Sequence, residues 1–223
     1  MFRSISACPD LSQPVPTVEA ERDIVSVLID FKFVRGCLRK YVTKMDGTPV
    51  QLRGMSLYCS DDSYLGSKFW NAETMQQLKC AWNSNVVRIP LIIDDEGYAK
   101  NPDVEYQKVV TAIEAAISTG VYIIVDWHAF SDRLDIAVPF FKNISKLYGQ
   151  YPHVLYEAYN EPSWADSWTN LTAYHTAIIN AVRANDPDNI IIVGQPHQES
   201  PESFNFEPGF EPALHTNHSD MIL

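Results

Sequence analysis

The sequence predicts an α/β fold in which parallel β-strands alternate with α-helices. Between Pro49 and Gly194, short and nearly continuous apolar runs are separated by segments whose apolar residues recur every three or four positions. Such runs are typical of strands buried on both faces, and the second spacing is typical of amphipathic helices. The 223 residues are 46% hydrophobic and 20% charged, so the chain has enough apolar surface for a sizeable core.

Five strands and four intervening helices are predicted in this region. In chain order, the strands have the sequences PVQLRGMSLY, NVVRIPLII, VYIIVDWH, HVLYEAYNEP and NIIIVG. The helices between them are predicted at residues 71–84, 104–120, 134–148 and 167–186. Asn71 can cap the first helix with its side chain, and Gly120 closes the second. Strands separated by helices form right-handed βαβ units, so we expect a parallel sheet covered by helices.

Two architectures fit this alternation, an open doubly wound sheet and a (β/α)8 barrel. No G-x-G-x-x-G or Walker-type glycine loop follows the first strand, so the nucleotide-binding version of the open sheet has no support. Polar residues stand where the strands end, at Arg53, Arg88, Asp126, His128, Asn160 and Glu161. In a barrel these ends form one catalytic rim. Because five strands do not close a barrel, the prediction is an incomplete (β/α)8 TIM barrel of about five βα units.

The segments on either side of this region lack its pattern. We expect residues 1–48 to be a partly disordered N-terminal extension, residues 49–194 to be the partial barrel, and residues 195–223 to be an aberrant, poorly ordered tail. No apolar run of signal-peptide length begins the chain. The later run IVSVLIDFKFV is interrupted by Asp30 and Lys32, so we do not expect it to span a membrane.

Charge and cysteine usage exclude several partners. The formal net charge of −11 and the pI near 4.9 argue against nucleic acid or an anionic membrane as the main partner. The four cysteines, at positions 8, 37, 59 and 80, have no C-x-x-C spacing, which disfavours a zinc site. Their three possible pairings, and the alternative that some are buried free thiols, stay open.

Glu161 is the central candidate for chemistry. It stands at the carboxyl end of the fourth predicted strand, where Tyr159, Trp164 and Trp168 are expected to surround it. Burial favours the protonated form of a carboxyl group, as a general acid working near neutrality requires. Asn160 beside it can bind a hydroxyl group or orient the acid. The alternative is an exposed loop acid without a function.

Asp126 and His128 could instead begin a metal site, because they form a D-x-H pair at a strand end. No second histidine or acidic cluster completes such a site in the predicted barrel, since His215 and His218 lie in the tail. We therefore predict that no metal is bound there.

The segment VLYEAYNEP resembles the sequence around the acid/base of glycoside hydrolase family 5, the cellulase family of retaining (β/α)8-barrel enzymes. The similarity extends in order and spacing through PVQLRGMSL, FWNAETMQQLKCAWNSNVVRIP, AIEAAISTGVYIIVDWH and ANDPDNIIIVG. It is strongest to secreted endo-β-1,4-glucanases of bacteria and of certain invertebrates. The resemblance implies a secreted monomer that hydrolyses a β-glucan polysaccharide of the cellulose type without a cofactor.

The resemblance assigns roles to individual residues. Glu161 matches the acid/base of the family, and Asn160 matches the amide that contacts the sugar 2-hydroxyl. Arg88 matches the arginine beside the nucleophile, and His128 matches the histidine of the −1 subsite. Trp70 lies where the family has a residue that lines the glycone side. The alternatives are a solvated strand-end cation for Arg88 and core packing for Trp70.

The second carboxylate of the family is not found in this sequence. The family nucleophile is a glutamate within an E-W-G or E-Y-G motif, preceded by a His-x-Tyr pair, and neither occurs here. Retaining glycosidases need two carboxylates about 5–5.5 Å apart. We therefore expect the front half of a glycosidase, truncated after the fifth strand and inactive or nearly so. The alternatives are a non-catalytic carbohydrate-binding remnant or fragment, and a mannanase or other β-glucanase of the same family.

Overall fold

The computed structural model describes residues 25–26, 43–44, 50–60, 66–94, 96–162, 167–194 and 220–222. The strands are β1 (Val25–Ser26), β2 (Thr43–Lys44), β3 (Gly54–Ser56), β4 (Val86–Ile92), β5 (Tyr122–His128), β6 (Val154–Glu157), β7 (Ile191–Val193) and β8 (Asp220–Ile222). The α-helices are α1 (Ala72–Ala81), α2 (Pro102–Thr119), α3 (Leu134–Tyr148) and α4 (Trp168–Arg183). A short 3-10 helix, Ser67–Phe69, precedes α1.

The strands of the main sheet lie side by side in chain order from β3 to β8, and each is parallel to the next. A doubly wound sheet reverses its strand order, whereas the wall of a barrel adds each strand on the same side. The observed order is therefore that of an incomplete (β/α)8 barrel. All five predicted strands and all four predicted helices are confirmed, as β3 to β7 and α1 to α4, with bounds that differ by a few residues.

Three short strands, one in the tail and two in the extension, are not predicted by the sequence. Asp220–Ile222 forms β8 and pairs in parallel with Ile191–Val193. Likewise, β1 pairs antiparallel with β2. Strands of two or three residues have no periodicity to detect, because only the pairing partner defines them. The rest of both segments lies outside the described residues, and the domain boundaries stay a prediction.

Three helices begin or end at residues that are suited to capping a helix. The Asn71 side chain accepts a hydrogen bond of 2.9 Å from the Thr74 amide at the start of α1. Gly120 follows α2 with φ of 69°, in the left-handed region that a glycine adopts without a steric penalty. At the start of α4, Ser167 accepts from the Asn170 amide at 3.2 Å. No helix in the described part of the chain is long and apolar enough to cross a membrane.

The main core lies between one face of the sheet and the helices. Trp127 of β5 is fully buried there, and its ring centroid lies 5.0 Å from that of Phe140 and 5.9 Å from that of Phe141, both on α3. Large aromatic rings bury much apolar area and dominate the energetics of a core. A smaller apolar cluster of Leu155, Ile190 and Ile192 covers part of the opposite face. That opposite face is the one on which polar side chains gather at the strand ends.

Candidate functional site

The candidate site lies on the sheet face opposite the helices, where Arg88, the third residue of β4, meets residues near the carboxyl ends of β5 and β6. Successive residues of a strand point to opposite faces, so Asp126 and His128 point away from the core side chains of β5. The register places Arg88 beside Ile124 and Asp126 beside Glu157. Paired residues on parallel strands share a face, and the three strands therefore bring two acids, an arginine and a histidine to one rim.

Arg88 is the centre of this polar network. Its Nε donates to Glu157 Oε2 at 2.6 Å, and its Nη2 donates to Glu157 Oε1 at 2.8 Å, which makes a bidentate pair. The same Nη2 donates to Asn160 Oδ1 at 2.8 Å and lies 2.7 Å from Asp126 Oδ2. Burial alone would lower the pKa of Arg88, but the hydrogen bonds and charges of Glu157 and Asp126 raise it. The guanidinium is thus charged and held in one orientation.

His128 and Asp126 form the second part of the network. Asp126 is fully buried, and its Oδ2 lies 2.7 Å from His128 Nδ1. Burial alone would lower the pKa of His128, but hydrogen bonds to Asp126 and to Cys59 outweigh burial and raise the pKa to about 9. Burial raises the pKa of Asp126 to about 6, against the opposing hydrogen bond from His128 and the charge of Arg88. Near pH 7 the pair is therefore a carboxylate that accepts from an imidazolium.

Asn160 belongs to the same network through both its backbone and its side chain. Its amide nitrogen donates to the Trp127 carbonyl at 3.1 Å, which ties the loop after β6 to β5. Its Oδ1 accepts from Arg88, whereas its Nδ2 is buried without a hydrogen-bond partner among the described residues. A buried donor without a partner is costly and is often explained by a ligand or water that completes it. Asn160 is therefore a candidate ligand-binding residue.

Glu161 follows Asn160 but is not desolvated as predicted. Its side chain is exposed. Tyr159 is only 1% exposed and its ring packs 5.1 Å from that of Tyr174, so it serves the core and does not cover the acid. Trp164 and the side chain of Trp168 lie outside the described residues. The expected burial of Glu161 is therefore wrong for this chain, and the exposed acid is accessible to a ligand that approaches the rim.

Trp70 is placed in the core and not at the rim. It is 2% exposed, and its Nε1 donates to the Tyr58 carbonyl at 3.1 Å. An indole with no exposed face cannot stack on a sugar ring, so the prediction that Trp70 lines the binding site is not supported by its position. Its buried position before α1 agrees instead with the alternative that Trp70 packs in the core. The exposed aromatic rings near the rim are instead Tyr58, at 55% exposure, and Phe130, at 50%, whose ring lies 5.3 Å from that of His128.

Sequence reasoning missed Glu157 altogether and assigned Asp126 only to a metal alternative. Both are acids inside strands that are otherwise apolar, and each buried charge of this kind requires a partner. The same argument holds for Arg88, so all three side chains could have been expected to need charged partners. No group of three His, Cys, Asp or Glu side chains in the described ranges is arranged to hold a metal ion. Asp126 and His128 instead serve the ion-pair network.

Cys59 adds a thiol to this rim. The structure records it as a free cysteine of intermediate exposure whose side chain is hydrogen-bonded to His128. Cys80, in contrast, forms a disulfide bond. All three complete pairings of the four cysteines use Cys59 and are therefore excluded, which leaves the alternative in which some of the cysteines are free thiols.

The other acids near the rim are already engaged in interactions. Asp94, after β4, accepts from Arg133 Nη1 at 2.6 Å. Asp132 accepts from the Leu134 amide at 3.0 Å, at the start of α3. Glu157 and Asp126 bind Arg88, as described above. Asp132 and Glu161 are both exposed, but Glu161 has no hydrogen bond or ion pair to another described residue, which leaves its carboxyl group accessible to a ligand.

Comparisons with known proteins agree with this architecture. Endoglucanase Z from Dickeya dadantii is 40% identical over 147 residues, which cover 64% of this chain and 34% of that protein. Endoglucanase A from Evansella cellulosilytica is 40% identical over 155 residues, which cover 66% of this chain and 31% of that protein. The chain thus spans about a third of the length of the curated relatives it matches.

A solved structure and a family model extend the likeness. The catalytic domain of an endoglucanase from Thermobifida fusca matches with a TM-score of 0.74 and 27% identity, over 91% of this chain and 65% of that one. A variant of the same domain was solved in complex with cellotetraose. The family model for Cellulase (glycosyl hydrolase family 5) matches residues 43–219, a region that reaches beyond the similarity predicted up to Gly194. The chain belongs to glycosyl hydrolase family 5, the cellulase family.

Proposed function

We propose that this chain acts in the hydrolysis of β-1,4-glucan of the cellulose type by a retaining mechanism, with Glu161 as the acid/base. The observation that supports this most is the cluster of Arg88, Asp126, His128 and Asn160 at one rim, directly beside the exposed Glu161. Relatives of the chain are named endoglucanases, and one of them has been solved with cellotetraose. Family membership and rim chemistry thus support the same reaction class.

In the proposed mechanism, Glu161 first donates a proton to the glycosidic oxygen that leaves. As the glycosidic bond breaks, the anomeric carbon forms a bond with a second carboxylate, and in the second step Glu161 accepts a proton from the water that breaks this bond. The buried Nδ2 of Asn160 and the imidazolium of His128 are N–H donors suited to sugar hydroxyl oxygens. The exposed rings of Tyr58 and Phe130 offer apolar surface on which a sugar ring can lie.

The retaining reaction also needs a nucleophile, which the described residues do not supply. Asp126 and Glu157 are bound to Arg88, and Asp94 is bound to Arg133. A carboxylate that neutralises a guanidinium is a weaker nucleophile than a free one, because the cation stabilises its negative charge. We therefore expect this chain alone to turn over slowly or not at all, since loss of one catalytic carboxylate removes several orders of magnitude in rate.

A second candidate function is carbohydrate binding without catalysis. It is favoured by the combination of engaged rim acids with a buried, unpartnered donor on Asn160. Such a site can bind a polysaccharide without a second carboxylate. Within the hydrolase class, mannan or another β-glucan is the alternative substrate. In both cases we propose a secreted monomer that needs no cofactor.

The test measures release of reducing sugars from carboxymethylcellulose and binding of cellotetraose by the purified chain. Hydrolysis that disappears in Glu161→Gln supports the enzyme. Binding without hydrolysis, unchanged in Glu161→Gln, supports the carbohydrate-binding alternative. Glu96→Gln is the matched control, because Glu96 pairs with Lys100 on the exposed surface. A folded chain that neither binds nor hydrolyses cellulose-type or mannan-type oligosaccharides overturns the proposal.

A further inference from the structure

We propose that Glu157 is a positioning residue that, through Arg88, fixes the side-chain amide of Asn160 so that its Nδ2 donates to a ligand hydroxyl. The inference rests on the proposed function for the identity of the ligand, a β-glucan oligosaccharide. The orientation of the Asn160 amide does not depend on the proposed function, because it is a property of the chain alone. Glu157 binds Arg88 with both carboxylate oxygens and is not bonded to the proposed proton donor.

The first step is the restraint on Arg88. Glu157 uses both of its carboxylate oxygens on one guanidinium, at 2.6 Å to Nε and 2.8 Å to Nη2. A bidentate pair fixes the plane of a guanidinium as well as its position. The side chains of Arg88 and Glu157 are only 23% and 13% exposed, so water competes little for these contacts. Asp126 contributes a single oxygen, which it shares with His128, and therefore restrains the plane less.

The second step is the orientation of the amide. A guanidinium has five N–H donors and no acceptor, so the group that faces Arg88 Nη2 must be an acceptor. Asn160 therefore presents its Oδ1, at 2.8 Å. The opposite orientation would place the NH2 group of Asn160 against the N–H of Arg88, donor against donor. Arg88 thus decides which end of the amide faces the site.

The third step is the consequence for a ligand. With Oδ1 engaged, Nδ2 is left buried and without a partner among the described residues. Such a donor is satisfied only by an acceptor that enters the site, for example a hydroxyl oxygen. Because the amide is oriented before the ligand arrives, no free energy is needed to order it on binding. Glu157 thereby affects the affinity for the ligand indirectly, through its hydrogen bonds with Arg88 and the hydrogen bond from Arg88 to Asn160.

The alternative is that Glu157 is only an ion-pair partner that stabilises the rim. The two roles are separated by a double-mutant cycle on the affinity for cellotetraose, measured by isothermal titration calorimetry. If Glu157 acts through the amide, Glu157→Gln weakens binding about tenfold, the size of one well-placed hydrogen bond. In an Asn160→Ala background the same change then has less than about a twofold effect, because the group that it positions is gone.

Glu96→Gln is the control variant, since it removes an exposed carboxylate that binds Lys100 and no member of the network, and should leave affinity unchanged. Two results would overturn the inference. One is unchanged affinity in Glu157→Gln, and the other is additive losses from Glu157→Gln and Asn160→Ala. Thermal unfolding of each variant verifies that the compared proteins are folded.

A measurement on the wild-type chain tests the premise that the Asn160 amide is held, even if a variant does not fold or the chain binds no sugar. The side-chain NH2 protons of Asn160, assigned by isotope labelling and NMR, should exchange with water at least tenfold more slowly than those of the exposed Asn83. Equal exchange rates would mean that the amide is not held, and the inference would be wrong. Failure of cellotetraose to bind the wild-type chain would instead count against the proposed function.

Discussion

On the helix-covered face of the sheet, β5 presents Val125 and Trp127 to a core of aromatic and aliphatic side chains, whereas on the opposite face the same strand presents Asp126 and His128. Packing on the first face is non-directional and fixes where the strand lies. Contacts of 2.6 to 2.8 Å on the second face are directional and fix where each donor and acceptor points. The comparison shows that the core supplies position and the rim supplies orientation, so the two faces should respond differently to mutation.

The largest effect is expected from truncation in the core. Phe140→Ala removes a fully buried ring that contacts Trp127 and Phe141, and should lower the free energy of unfolding by about 3–5 kcal/mol. The matched control is Phe130→Ala at the rim, whose ring is 50% exposed and should contribute under about 1 kcal/mol. Urea unfolding monitored by circular dichroism measures both. Equal losses would show that the two faces do not differ as proposed.

The next effect is expected from removal of the buried rim charge. Asp126→Asn leaves Arg88 and His128 without the carboxylate between them, and should lower the free energy of unfolding by about 3 kcal/mol, the usual cost of breaking a buried ion pair. The pKa of His128 should fall below its value of about 9, because its main charge partner is lost. NMR titration of the His128 ring measures this shift. A His128 pKa that is unchanged in Asp126→Asn would contradict the proposed network.

A smaller effect is expected from pH. The folded-state pKa of His128, about 9, lies above its ordinary value of 6.5, so folding binds its proton more tightly. This contribution to stability is therefore fully present below pH 6.5 and is lost as the pH rises through 9. The pKa of Asp126 is also raised, from 3.8 to about 6, so its contribution likewise falls as the pH rises over that lower range. Urea midpoints measured between pH 6 and pH 10 test the predicted loss of the His128 contribution. In His128→Gln the midpoint should depend less on pH over this range.

The smallest effect on stability is expected at Glu161. Glu161→Gln changes an exposed side chain and should leave the urea midpoint unchanged, although it is proposed to abolish proton donation. Glu157→Gln, a carboxylate four residues earlier that binds Arg88, should lower the midpoint. The two variants make the same chemical change, so a difference between them separates an acid held by the network from an acid presented to a ligand. A midpoint lowered equally by both would show that Glu161 also has a structural role.

The fold was largely predictable because its signals are local. Apolar runs separated by three-to-four spacing predicted β3 to β7 and α1 to α4, and the caps at Asn71 and Gly120 predicted two helix ends. Propensity, capping and periodicity depend on neighbours in the chain, so they can be recognised without tertiary information. The strand β8 was not predictable, because three residues have no pattern and their pairing with β7 involves residues distant in sequence.

The candidate site was predicted in part. Arg88, His128 and Asn160 were expected at one rim, and the structure brings them together through Asp126. Trp70 was misplaced, because a tryptophan near a strand end suits either a core or a sugar site until its exposure is known. Glu157 was missed because its pairing with Arg88 spans 69 positions of the chain. A single sequence indicates that such charges require partners, but it does not identify a partner at that separation.

The sequence by itself determined the alternation of strands and helices, the order in which polar residues follow the strands, and the resemblance to a cellulase family. These properties are carried by residue type and spacing along the chain. Only the tertiary structure decided which acids are engaged and which is exposed, that the Asn160 amide faces Arg88 with its oxygen, and that Trp70 belongs to the core. The physical reason is that burial, charge pairing and hydrogen-bond direction depend on neighbours in space, which the parallel register of β4, β5 and β6 creates.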